Sequence, residues 1–166
     1  MSQEGSQPEN AGQMLLAHLD GLGPEATLEG QDMLAQFKAS LQSGETEPAE
    51  LRFMANYLWR AVGQLDAAEA FLDAAMLLDP EDPAGLFEYA LFLDQVRDDK
   101  AGAVASYDKC LKVANADMQP QVGLNLGALL VQLATEAAKE EAATNKHGCA
   151  GEINSDKQQS AKKVEQ

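Results

Sequence analysis

Residues 66–80 read DAAEAFLDAAMLLDP, and residues 101–115 read AGAVASYDKCLKVAN. Set against each other at an offset of 35 residues, Ala68, Leu72, Ala75 and Leu78 match Ala103, Tyr107, Cys110 and Val113. Each series puts small, large and small side chains on one stripe, because steps of four and three return to the same side of a helix. A fixed period in this range marks stacked helix pairs. Function is therefore expected on a surface between helices and not at a catalytic centre.

Working outward, Asp66 with Glu69 forms a capping pair for a helix over 66–78, and Asp79-Pro80 ends it. Upstream, Thr46 is placed to cap a helix starting at Glu47-Pro48 and running to Val62, with Leu51, Met54, Ala55, Leu58 and Trp59 inward. Gly63 permits the tight turn that follows. Downstream, Asp82-Pro83 opens a helix buried through Leu86, Phe87, Ala90, Leu93 and Val96. A charged turn at 97–100 leads into a helix over 100–114, and a long Ala/Leu-rich helix covers 121–143. Residues 11–20 and 31–43 read as a first pair, the second carrying Met33, Leu34, Phe37 and Leu41 at helical spacing. Stepping back 35 residues from Ala68, Leu72 and Ala75 lands on Met33, Phe37 and Ser40, a weak match that leaves open whether this pair is a worn copy of the pattern or only a cap on it. Residues 1–10 and 144–166 are polar and aperiodic and are expected to be disordered.

Composition narrows the function. The net charge is -15, from 27 acids and 12 Lys or Arg. Such a balance argues against nucleic acid, whose binding rests on basic side chains at phosphates, and against anionic membrane surfaces. The longest apolar-rich stretch, 122–134, is too short to cross a bilayer, so no membrane insertion is expected. MSQEGSQPEN lacks a basic then apolar pattern, so no secretory leader is expected. Cys110 and Cys149 make no disulfide framework, which fits a reducing, cytoplasmic setting.

No catalytic constellation emerges. His18 sits in an apolar helix without a nucleophile in reach. His147 and Cys149 form an isolated H-x-C, short of the four ligands zinc wants. Asp94, Asp98 and Asp99 do not follow calcium-loop spacing, and Gly21-Leu22-Gly23 is a turn and not a phosphate loop. Neither enzyme chemistry, metal nor cofactor is expected.

The pattern resembles the tetratricopeptide repeat, whose motif is W-x2-L-G-x2-Y, then A-x3-F, then a proline. Trp59, Ala68, Leu72 and Pro80 take the tyrosine, alanine, phenylalanine and proline positions of a first copy at 47–80. Phe87, Ala103 and Tyr107 take the tryptophan, alanine and phenylalanine positions of a second at 83–115. Ala55-Asn56 and Ala90-Leu91 replace leucine-glycine, Arg52 the first tryptophan, Asp94 the second tyrosine and Asn115 the second proline. Leu126-Gly127 begins a third copy that no second helix completes.

The resemblance implies an all-α chain of antiparallel helix-turn-helix repeats stacked as a short right-handed solenoid over 11–143. The pair at 11–43 and the helix at 121–143 would serve as its ends. It also implies a groove along the first helices that docks a peptide or partner helix, as an adaptor or a subunit of a larger assembly. Arg52, Asn56, Tyr57, Arg60, Leu91, Gln95 and Asn125 are the residues placed to line it, Tyr57 as anchor. Relatives that clamp a C-terminal carboxylate use Lys and Asn where this chain has Phe53 and Tyr57, so that mode is not expected. A holding chaperone using the negative charge on a basic client is the alternative.

Overall fold

The computed structural model describes residues 8–22 and 30–161. Among these, all regular structure is helical and no strand occurs. The helices are α1 (Pro8–Asp20), α2 (Gln31–Ser43), α3 (Pro48–Tyr57), α4 (Leu65–Leu78), α5 (Pro83–Phe92), α6 (Lys100–Val113) and α7 (Gln119–Ala161). Two of them continue as π-helical turns, α3 through Leu58–Val62 and α5 through Leu93–Arg97. The chain divides into two compact units, Met1–Gly123 and Leu124–Gln166.

In the first unit, α3 pairs with α4 and α5 with α6 as antiparallel hairpins. Their boundaries coincide at an offset of 35 residues: Pro48 with Pro83, Leu58 with Leu93, Leu65 with Lys100, and Leu78 with Val113. The local causes coincide as well. Proline opens each first helix, where its missing N–H costs nothing. Each π turn closes on a left-handed residue, Gly63 (φ 74°) and Asp98 (φ 55°). The following amide, from Gln64 or Asp99, donates back to the carbonyl of Leu58 (2.8 Å) or Leu93 (3.0 Å). Glycine adopts that conformation freely, and aspartate is among the side chains that tolerate it.

Small residues set the helix spacing. Ala68, Ala75, Ala90, Ala103 and Cys110 are buried where hairpin partners cross, and Met54, Leu58, Phe71 and Tyr107 fill the space beside them. The Cys110 thiol donates to the Pro83 carbonyl at 3.1 Å, tying α6 to the start of α5.

Several local expectations need correction. Thr46 does not cap α3. The cap position is Glu47, and the Thr46 hydroxyl lies 3.2 Å from that of Ser40, because the helix begins one residue later than the threonine could serve. Asp66 and Glu69 do not cap α4, which begins at Leu65. Both carboxylates reach Arg97 at the end of the second π turn. Asp82 is a true cap, accepting from the amides of Ala84 (3.2 Å) and Gly85 (3.1 Å). On α5 the fully buried ring is Phe92, while Phe87 is half-buried against Tyr107. Phe92 meets Trp59 edge-on at 5.4 Å, because α5 packs on the α3–α4 hairpin as well as on its own partner α6 and so buries two faces.

The first helix pair covers the α3–α4 hairpin differently from the way α5 covers it. α1 packs on α2 and α4 through Leu15 and Leu19. α2 reaches α3 through side chains: Phe37 meets Phe53 edge-on at 5.9 Å, and the Ser40 hydroxyl donates to Glu50 at 2.9 Å. α5 instead packs on both α3 and α4.

Helix α1 begins at Pro8, so three residues expected to be disordered are helical, and residues 1–7 lie outside the described ones. α7 continues as helix through 144–161, where no regular structure was expected. No proline follows Pro120 to break it, and glycines such as Gly148 and Gly151 cost a helix about 1 kcal/mol each without ending it. No helix among the described residues is long and apolar enough to cross a membrane.

Candidate functional site

Helix α3 has four sides, and its neighbours decide which of them a ligand can reach. Leu51, Met54, Ala55 and Leu58 are buried and form the side toward α4. Arg52 and Trp59 face α5, through Glu88 and Phe92. Glu50 and Phe53 meet α2, and Tyr57 packs against Gly30, which caps it. What remains open is a strip of Phe53, Asn56 and Arg60, with Leu91 and Gln95 at the matching positions of α5.

The candidate groove residues therefore divide into three sets. Asn56 and Leu91 are half-buried and Arg60 and Gln95 exposed, at positions that match between the two hairpins. The Asn56 side chain is held in place. Its amide donates to the Arg52 carbonyl at 3.1 Å, and its oxygen accepts from Arg60 Nε at 3.3 Å. Arg60 also stacks over the Trp59 ring at 4.3 Å, which fixes a cation at the edge of the strip.

Arg52 and Tyr57 are engaged elsewhere. Arg52 Nε lies 2.9 Å from Asp82 Oδ2, and its Nη1 lies 3.4 Å from Glu88 Oε1. It is an ion-pair link from α3 to α5 and not a free groove cation. Tyr57 packs half-buried on the core, its ring so close to Gly30 that a Cβ there would sit 2.8 Å from Cζ. Asn125 belongs to α7 in the second unit. Sequence periodicity could not reveal these engagements, since it reports which side of a helix is apolar and not which neighbour lies beside it. It also passed over Phe53 as a site residue. This ring is 55% exposed beside the strip.

A second concavity lies between α4 and α5, an open recess lined by Asp73, Met76, Leu77 and Tyr89. The Tyr89 phenol hydrogen-bonds to the Asp73 carboxylate. Burial raises the Asp73 carboxyl above its ordinary range; the Tyr89 hydrogen bond opposes this and the Glu69 charge adds to it. Burial, with the Asp73 charge beside it, pushes the Tyr89 phenol up to about 12. At neutral pH Tyr89 is therefore a neutral phenol.

His18 is half-buried on α1, and His147 and Cys149 lie outside the residues whose side chains are described. Among the described residues no group of three or more His, Cys, Asp or Glu could hold a metal ion. Compared with known proteins, the chain matches no family model, no curated protein and no solved structure.

Proposed function

We propose that this chain is a non-enzymatic protein-interaction module in which two tetratricopeptide-like hairpins stack and present the open side of α3 and α5 to an extended peptide or partner helix. The observation that carries the reading is the shared 35-residue offset of every helix, π turn and left-handed residue in the two hairpins. A register kept so closely supports one repeating unit, and stacked units leave extended surfaces between like helices. Docking uses Phe53 and Leu91 as apolar contacts, Asn56 and Gln95 as hydrogen-bonding groups and Arg60 as a positioned cation. Arg52 and Tyr57 support this surface from behind.

Site-specific photo-crosslinking tests the reading. A photoreactive residue at Gln95 or Arg60 is expected to give discrete protein adducts, lost when Leu91→Lys is added. The same probe at Lys112, exposed on α6, should give none of them. Identical adducts from all three positions, or adducts indifferent to Leu91→Lys, would refute it.

A further inference from the structure

Residues 65–82 carry six acidic side chains and no Lys or Arg. Arg97 takes Asp66 and Glu69, and Arg52 takes Asp82. Asp73 is different. It lines the recess between α4 and α5 and stands open to solvent, and among the described residues no Lys or Arg pairs with it.

The 35-residue repeat supplies a comparison within the chain. In the second hairpin Asp108 is the counterpart of Asp73, and Lys112 the counterpart of Leu77. There the Lys112 ammonium lies 2.6 Å from Asp108 Oδ2, one helical turn away. In the first hairpin the same turn carries a carboxylate and a leucine, and α4 has no lysine or arginine to do the same. Leu77 is 79% exposed and lines the recess together with Met76. Tyr89 lines it from α5, its phenol hydrogen-bonded to the Asp73 carboxylate.

These groups match one kind of side chain. Lysine joins an ammonium with three donors to a flexible four-carbon stem. The ammonium donates to Asp73 and to the oxygen of Tyr89, since a phenol that donates also accepts. The stem covers Met76 and Leu77. Arginine fits less well, because its fork favours a carboxylate with both oxygens free, and Tyr89 already engages this one. An apolar side chain would cover the carboxylate without replacing its water, and an acidic one would meet its charge. We infer that the α4–α5 recess is a docking site for a lysine side chain of a partner protein, held at Asp73 with its stem against Met76 and Leu77. The net charge of -15 steers a basic partner toward it. The site shares no residue with the α3–α5 strip and does not depend on peptide docking there.

Nuclear magnetic resonance of the isotopically labelled full chain, titrated with the peptide acetyl-Leu-Lys-Leu-amide, tests the assignment. Saturable shifts are expected at the amides of Asp73, Met76, Leu77 and Tyr89. Replacing the peptide's lysine by norleucine keeps a stem and removes the ammonium, and should weaken binding about tenfold or more, as should Asp73→Asn. Asp117→Asn removes the same charge from an exposed position outside the recess and should leave binding unchanged. Leu77→Lys rebuilds the ion pair of the second hairpin and should abolish binding with unchanged circular dichroism, since Leu77 is exposed. Equal binding of the norleucine peptide, shifts scattered over acidic residues elsewhere, or no saturable shift at millimolar peptide would overturn the assignment. Recess shifts that follow the concentration of the chain without peptide would give the site to a second copy and overturn it as well. Leu91→Lys, which disables the strip, should leave this titration unaffected.

Discussion

Replacing Arg52 by methionine should destabilise the first unit by about 2 kcal/mol, a value bracketed by two limits. Exposed ion pairs contribute about 0.2–1 kcal/mol. Removing one partner of a fully buried pair costs about 3–5 kcal/mol. Arg52 lies between the two: its side chain is 17% exposed, and those of its partners Asp82 and Glu88 are 20% and 27% exposed. Glu88 Oε2 is already buried without a hydrogen bond, so losing the guanidinium leaves that carboxylate with less to offset its desolvation. Methionine keeps much of the aliphatic stem, which separates the loss of charge from the loss of packing. Urea unfolding followed by far-ultraviolet circular dichroism reads the change, and a drop of roughly 5–10 °C in melting temperature should accompany it. Adding Glu88→Gln to the methionine variant should recover part of the loss, with a coupling of about 1 kcal/mol. The effect should persist at high salt, because partly buried pairs are screened weakly. A methionine variant within about 0.5 kcal/mol of the parent would show that Arg52 does not tie α3 to α5. The residue would then return to the list of groove cations.

Ala103→Leu should cost about 1–3 kcal/mol in the same assay, because Ala103 is fully buried where α5 and α6 cross and the added atoms have no space. Asp82→Ala should cost about 1 kcal/mol more than the Arg52 change, since it removes the α5 cap together with the ion pair. Burial moves the Tyr89 and Tyr107 phenols from the ordinary 10 to about 12. A raised value in the folded state stabilises below the unfolded value and is lost as pH climbs through the folded one. Stability should therefore decline between about pH 10 and 12, and phenolate absorbance from these two residues should appear late in a spectrophotometric titration. Tyr89→Phe should remove part of that late signal.

Much of the helical architecture was legible because its causes are local. Proline, glycine and the small-large-small stripe placed all four helices of the two hairpins within a few residues. What sequence could not supply were relations between distant segments. Phe92 was not among the residues read as buried on its helix, and Trp59 from the preceding hairpin meets it there. Asp66 and Glu69 looked like a local cap, and their partner proved to be Arg97, about thirty residues on. Within the candidate site, Asn56, Arg60, Leu91 and Gln95 came from the family resemblance, and none of the four is buried. Tyr57 was equally outward by its spacing, and only the approach of Gly30 covers it.

The matching π turns also record something about history. Each holds one residue more than an α-helical turn would, and the surplus stands at the same place in both hairpins. If the hairpins descend from one ancestral segment, the insertion entered that ancestor before it was copied. Any later drift in Ala55-Asn56 or Ala90-Leu91 is then younger than the turn beside it.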